Sequence, residues 1–387
     1  ESLQQAANYI QAIEARQGWV QVAGRFAHLY SYNGLVPGPR LEVVPGDTIR
    51  LHFTNSLPEP TNIHFHGLHV APTGAADNVF LEIPPQETFT YDFTVPPDHP
   101  AGTFWYHPHL HGRTAGQVFR GLAGLLVIRG ELDQIPPVAA ADEHFLVLQD
   151  FAWDASGEVP EPSMMDRMLG REGPVITASG MVNPELSIAS GGMLRLRILN
   201  ASPSRHYRLK LEEHPLHLIG VDGGGIPRPV VAEEVLLAPG ERIDALVKAD
   251  RAGGAYRLLN LPYQRATMGM MGMGPTAAVP MTVATLIYQG EAGQDLHVPS
   301  AVVQVDPLPG SGLPVRRFVL GGAGMGMGGR GMSFLINGRT FDHRRVDTRV
   351  ELGTIEDWEI VHATTMDHPF HLHTNPFQVV DAGGQAE

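Results

Sequence analysis

Apolar residues recur mostly at every second position of this chain, in short runs that Gly, Pro, Asn and Asp separate. The runs at residues 41–54, 89–95 and 192–199 show the pattern clearly. Such alternation is typical of strands with one buried face, and the residues between the runs favour turns. Only residues 3–16 have the apolar spacing of a helix, which predicts a peripheral amino-terminal helix. We therefore expect an all-β protein.

Two longer patterns recur at distances close to the size of a domain. LEVVPGDTIRLHFTN (41–55) and LSIASGGMLRLRILN (186–200) share a strand-turn-strand pattern, and VELGTIEDWEIVHA (350–363) is a weaker copy. A second pattern pairs LEIPPQETFTYDF (81–93) with LLAPGERIDALVK (236–248). Recurrence of this kind predicts two or three copies of one β-sandwich unit.

Candidate linkers at residues 131–142 and 289–316 divide the chain into predicted domains. These are residues 1–130, 131–295 and 296–387. The third domain is the shortest, and little of the chain follows its last histidines. We therefore expect the third domain to lack its final strands, which would leave an unpaired sheet edge at its carboxyl terminus.

Composition narrows the classes of function. Hydrophobic residues make up 43% and charged residues 18%, which suffices for buried cores. The formal net charge of −14 disfavours a nucleic-acid partner, because binding a polyanion needs clustered basic residues. The longest apolar run, residues 121–128, is too short to cross a bilayer, so we expect no membrane span. The chain has no Cys and can form neither disulfides nor thiolate metal sites.

Histidines occur in three clusters with the sequences HFHG, HPHLHG and HPFHLH. Each cluster contains two histidines that are two residues apart, so in a strand both imidazoles point to the same face. The pairs are His64 with His66, His107 with His109, and His371 with His373. Imidazole binds copper, zinc, iron and nickel, but zinc hydrolases usually add carboxylate ligands. Because almost no acidic residue accompanies these histidines, the pattern favours copper.

The order of these motifs resembles that of the multicopper oxidases, in particular the bacterial laccase-like, three-domain type. The flanking sequences YNGLVPGPRLEVVPGD, AGTFWYHPHLHG and MDHPFHLHTNPFQVV strengthen the resemblance, which covers essentially the whole chain. It implies three cupredoxin-like Greek-key β-sandwich domains, with the second domain acting as a spacer without a copper motif. The family's fourth motif, HCHxxxHxxxxM, does not occur here. We therefore expect the 387-residue chain to be incomplete, inactive and without blue absorption.

The resemblance also implies which histidines bind copper. A complete enzyme of this family holds four copper ions: one of type 1, one of type 2 and a pair of type 3. The implied ligands are His64 and His371 for type 2, His66, His107, His109 and His373 for type 3, and His368 for type 1.

The implied activity is that of a laccase-like oxidase. A small reducing substrate, which would be a phenol, an aromatic amine or cuprous ion, gives single electrons to the type 1 copper, and the trinuclear cluster reduces O2 to water. We expect a monomer in the periplasm or outside the cell; the chain begins at Glu1, so an export signal would already be missing. A copper-binding or copper-tolerance protein without turnover is the alternative. A copper nitrite reductase is disfavoured, because HPHLHG paired with HPFHLH is typical of a trinuclear cluster.

Two further features have open interpretations. Asp77, in GAADNVF, resembles the acidic residue that this family places beside the cluster to supply protons, but an Asp-Asn pair is also an ordinary turn signal. Methionines alternate with glycine in two tracts, which could bind Cu(I) or substrate near the type 1 site or could simply be flexible loops. The tracts contain Met268, Met270, Met271 and Met273, then Met325, Met327 and Met332.

Overall fold

The computed structural model describes residues 7–264, 279–290, 294–309, 312–323, 333–364, 366–383 and 385–386. These residues form strands, turns and loops, with helices of only four to six residues. The helices are α1 (Thr114–Phe119), α2 (Glu131–Gln134), α3 (Pro136–Ala139) and α4 (Met164–Leu169). The predicted all-β class is confirmed. Within the described ranges, none of the helices could span a membrane.

The first sandwich consists of two four-stranded sheets, with strand orders β2-β1-β4-β6 and β3-β8-β7-β5. Its strands are β1 (Asn8–Val22), β2 (Arg25–Tyr32), β3 (Gly38–Val43), β4 (Thr48–Ser56), β5 (His64–His66), β6 (Thr88–Thr94), β7 (Gly102–His107) and β8 (Gly124–Ile128). The alternating apolar residues meet between the two sheets, where Phe53, Phe65 and Phe104 are fully buried. Because Phe65 enters this core, its neighbours in β5 point to the opposite face of the sheet.

The predicted helix over residues 3–16 is wrong in its described part, because residues 8–16 open the long strand β1. β1 pairs in parallel with β4 and antiparallel with β2, so its backbone groups find partners on both sides. Ile13 and Ala15 are buried in the first core. Pairing and burial across the sandwich thus outweigh a local helical spacing.

The second sandwich also has two sheets, with strand orders β10-β9-β12-β17-β14-β15 and β11-β19-β18-β13-β16. Its strands are β9 (Asp142–Phe151), β10 (Val175–Ala178), β11 (Glu185–Ile188), β12 (Met193–Asn200), β13 (Tyr207–Leu211), β14 (Leu216–Val221), β15 (Gly224–Ala232), β16 (Val235–Leu237), β17 (Arg242–Lys248), β18 (Ala255–Leu261) and β19 (Met281–Tyr288). β3-β4 and β11-β12 are the strand pairs of the repeated sequence pattern. The hydrophobic core of the second sandwich is separate from that of the first.

A buried ion-pair network joins the two sandwiches. Arg195 of β12 binds Asp133 of α2 at 2.8 Å and Asp244 of β17 at 2.6 Å. Arg197, which is fully buried, pairs with the same Asp133 and donates a 3.1 Å hydrogen bond to the hydroxyl of Thr103 in β7. Buried charges need such partners to offset their lost hydration. The network therefore holds β12 against the strand that leads to the second histidine motif.

The third unit contributes β20 (Val315–Ala323), β21 (Ser333–Ile336), β22 (Asp357–His362), β23 (Asp381–Ala382) and β24 (Gln385–Ala386). These strands form a three-stranded sheet of order β21-β20-β22 and a two-stranded sheet of β23 with β24. Among its described residues, Phe318 is the one apolar side chain that is buried. The described part of this unit therefore has a much thinner core than either sandwich.

Candidate metal centre

The first two histidine motifs meet because their strands are neighbours. β5 and β7 pair antiparallel, in a register that sets His64 opposite His107 and His66 opposite Trp105. The rings of His64 and His107 are 5.2 Å apart, and His66 Nδ1 lies 3.2 Å from His107 Nε2. All three histidines are buried. Because side chains alternate between the two faces of a strand, His64 and His66 of β5 lie on the same face of the sheet as His107 of β7.

His109 lies just beyond β7, in the loop that follows Pro108. Its backbone N–H donates to the side-chain oxygen of Asn62 at 2.7 Å, which fixes the loop. The His109 ring lies 5.1 Å from that of His64, at a steep angle. Pro108 has no N–H to continue the ladder, so the strand ends where the chain must turn toward the site.

The third unit completes the cluster by stacking two imidazoles on those of β5. The His371 ring stacks on His66 with centroids 3.9 Å apart, and the His373 ring stacks on His64 at 4.2 Å. His373 also lies 4.8 Å from His109. The three motifs, far apart in the sequence, therefore converge on one site between the first sandwich and the third unit.

The seventh candidate, His368, stands apart from this cluster. Its Nε2 lies 2.7 Å from the hydroxyl of Thr364, and its ring is 5.2 Å from that of His362. It lines a cleft of about 710 Å³ together with residues from all three units, among them Phe119, His206 and Phe334. His368 therefore lies apart from the six histidines that converge.

The six converging histidines have the donor chemistry of a metal site. Two sets have ring nitrogens within 4.8 Å of one another: His64, His66 and His107, and His64, His371 and His373. His64 Nε2 is buried and has no hydrogen-bond partner among the described residues. A buried polar atom rarely stays unpaired in a folded protein, so this nitrogen is suited to coordinate an ion. The set of imidazoles fits copper.

The electrostatics of the site favour the neutral imidazoles that bind metals. Burial is the main cause that lowers the pKa of His64, His66 and His107 well below the usual range, and neighbouring charges lower it further. Burial and the neighbouring His373 lower the pKa of His371 to about 3. At neutral pH these rings therefore offer lone pairs rather than positive charges.

Comparison with known proteins agrees with this geometry. Models of the multicopper oxidase family match residues 14–133, 147–291 and 321–387. This chain belongs to the multicopper oxidase family. It is 30% identical to the cell division protein FtsP of Xenorhabdus nematophila, over 92% of this chain and 73% of that protein. It is 28% identical to the multicopper oxidase mco of Staphylococcus haemolyticus, over 93% of this chain and 72% of that protein.

The fold of this multicopper oxidase also matches a solved structure. The multicopper oxidase from Campylobacter jejuni, described as a metallo-oxidase, superposes with a TM-score of 0.85 at 28% identity, over all of this chain and 82% of that one. The predicted family and its cupredoxin-like fold are therefore confirmed.

In this multicopper oxidase, Asp77 lies against His64, the type 2 candidate. Both carboxylate oxygens are 2.9 Å from His64 Nδ1, and one accepts a 2.8 Å hydrogen bond from the backbone N–H of Phe65. Because a carboxylate accepts, Nδ1 carries the proton and Nε2 keeps its lone pair. Burial raises the pKa of Asp77 to about 6, although the Phe65 N–H opposes that rise.

Sequence reasoning missed Trp105, which stacks on His107 with centroids 4.0 Å apart and lies 5.1 Å from His66. The available signal was its position two residues before His107, which places both side chains on the same face of β7. The methionines of both tracts lie outside the described residues of this multicopper oxidase.

Proposed function

We propose that this multicopper oxidase takes single electrons from a small reducing substrate and delivers four of them to O2, which is reduced to water. Bound copper would supply the electron-transfer and oxygen chemistry. The observation that carries the proposal is the convergence of imidazoles from three distant motifs on one site, in which His64, His66 and His107 are buried. The proposed ligands are His64 and His371 for type 2, His66, His107, His109 and His373 for type 3, and His368 for type 1.

The chain's own residues would perform three tasks at this site. The neutral imidazoles hold the metal, and their stacking fixes the third unit against the first sandwich. Asp77 orients His64 by accepting the Nδ1 proton. With a pKa of about 6, the same carboxyl group can also take up and release protons near neutral pH, which suits a reaction that consumes them.

We propose that the cleft beside His368 receives the reducing substrate. Met366, Asp367 and Phe334 line it with His368. The thioether of Met366 is a soft donor that suits a cuprous ion, whereas the aromatic wall suits a phenol or an aromatic amine. We also propose domain boundaries after residues 130 and 295. We further propose that the protein is a monomer, which size-exclusion chromatography tests, and that it works in the periplasm or outside the cell, which cell fractionation tests.

A copper-binding protein without turnover is the second candidate. The similarity to FtsP, a cell division protein by its name, favours it.

Copper loading followed by oxygen-electrode measurements separates the two candidates. The oxidase proposal expects a copper-loaded protein that includes the type 1 Cys to consume O2 with a phenol or Cu(I) faster than free copper does, and His371→Ala to abolish that excess. His52→Ala is the matched control, since His52 binds Thr90 on an exposed face. Copper uptake at the six histidines without oxygen consumption favours the binding protein, and no copper uptake contradicts both.

A further inference from the structure

The second sandwich reaches the histidine cluster through the turn between β16 and β17. Gly240 in this turn has φ 87°, and a Cβ atom there would lie 3.4 Å from His66 Cε1 and 3.7 Å from the Trp105 ring. The turn is held by backbone hydrogen bonds between Gly240 and Asn200 and between Asn200 and Glu241. The domain expected to be a spacer therefore forms part of the wall of the site.

Arg242, directly after this turn, is 4% exposed and binds backbone carbonyls on both sides of the junction. Its Nε donates to Thr103 of β7 at 3.1 Å, and its Nη1 donates to Gly240 at 3.0 Å. A guanidinium keeps its charge in proteins, and its several donors fix its orientation. The positive charge of Arg242 is therefore fixed in place at the junction.

This guanidinium lies against the histidine motif itself. A Cβ atom on Gly67, the residue that follows His66, would approach Arg242 Nη2 to 2.8 Å. His371 stacks on the His66 ring with centroids 3.9 Å apart, so the guanidinium lies on the side of the cluster that these two rings share. Its ion-pair partner Asp222, 3.0 Å away, is 47% exposed and so compensates the charge only in part.

The fixed charges around the cluster are therefore asymmetric. The carboxylate of Asp77 lies on the side of His64, and the guanidinium of Arg242 lies on the side of His66. Metals held by neutral imidazoles carry a net positive charge and attract anionic co-ligands, and a nearby cation adds to that attraction in a site of low dielectric.

We propose that Arg242 is a positioning residue that supplies a fixed positive charge on the His66 and His371 side of the cluster, where it favours binding of a small anion to the metal. This inference rests on the proposed copper site. It assigns to the second sandwich a part in the chemistry of that site, through a residue that belongs to no copper motif.

Azide is the probe, added to the copper-loaded full chain and followed by its charge-transfer absorption and by electron paramagnetic resonance. Arg242→Met, which removes the charge and keeps the length, should weaken azide binding on the order of tenfold, since a buried unit charge acts strongly at short range. Arg242→Lys keeps the charge and should lose about threefold or less. Asp222→Asn removes the compensating charge while keeping an acceptor, and should tighten azide binding.

The control is Arg205→Met, because Arg205 is an arginine of the same sandwich, with 14% of its side chain exposed, that pairs with Asp150 at 3.1 Å instead. It should leave azide affinity within about twofold. Copper content and circular dichroism are measured for each protein. If Arg242→Met fails to fold, Asp222→Asn still tests the effect of the Arg242 charge on azide affinity, because it leaves Arg242 in place.

The inference is overturned if Arg242→Met binds azide as the control does, if Arg242→Lys is as weak as Arg242→Met, or if Asp222→Asn weakens azide binding. None of these results would contradict the proposed copper site. Failure of the unsubstituted chain to take up copper would instead overturn the proposed function and this inference with it.

Discussion

Asp77→Asn should weaken copper binding at the cluster while leaving the fold in place. Asparagine has the same shape and keeps one acceptor oxygen for the backbone N–H of Phe65, now bound at 2.8 Å. Its amide NH2 group then replaces Oδ2, which lies 2.9 Å from His64 Nδ1. Two donors cannot bind each other, so His64 either keeps a weaker bond to the neutral Oδ1 that it shares with Phe65 or moves its proton to Nε2.

The second option removes the lone pair that a metal needs, because Nε2 is the buried ring nitrogen without a partner in the described structure. A buried hydrogen bond to a charged group contributes about 1.5–3 kcal/mol. This corresponds to a loss of roughly 10- to 150-fold in affinity, at a rate of tenfold per about 1.4 kcal/mol.

Competition with a chromophoric chelator measures this copper affinity. Asp92→Asn is the matched control, because Asp92 pairs with Arg50 at the surface, at 2.7 Å and 38% exposure. An exposed pair of this kind contributes only about 0–1 kcal/mol and is not part of the site. Copper affinity of Asp77→Asn within twofold of the unsubstituted chain would show that Asp77 does not set the tautomer of His64.

Three further predictions concern stability and metal content. Burial alone would raise the pKa of Glu143, but its bonds to arginines lower it to about 2. The stability that this carboxylate contributes is therefore present above pH ~4.5 and is lost as the pH falls toward 2, by about 3 kcal/mol in all. Glu143→Gln should flatten this loss in acid denaturation. Gly67→Ala should destabilise the fold by about 1–3 kcal/mol more than Gly74→Ala in urea unfolding. Both glycines have positive φ, but of the two only Gly67 lacks space for a Cβ. Equal effects of the two substitutions would contradict this prediction. His371→Ala should lower the copper content by elemental analysis, whereas His52→Ala should not; unchanged content in both would remove His371 from the ligand set.

The sequence predicted the histidine pairs because the signal is local. In a strand, residues two apart share a face, so His64 and His66 had to converge if HFHG was a strand. The strand pattern likewise predicted the fold class, since the turns and the alternation are properties of neighbouring residues. The family resemblance then indicated which distant motifs meet.

The features that the sequence did not reveal depend on contacts between distant residues. β1 forms because β2 and β4 flank it, although its own spacing suggested a helix. Arg242 reaches Thr103 across 139 residues, and nothing in LLAPGERIDALVK indicates that its arginine is buried. Contacts of this kind are set by how the sandwiches pack, which a local pattern does not encode.

Because His371 stacks on His66 and His373 stacks on His64, copper bound by these residues would also connect two parts of the fold. A metal ion shared by these residues would be a cross-link between the first sandwich and the third unit, closing a loop that contains most of the polypeptide. Such a closure removes conformational entropy from the unfolded chain, and the gain grows with the length of the loop. In a chain without Cys, copper would thus take the structural part that disulfides play elsewhere. The third unit, with its single described buried apolar side chain, would depend on it most.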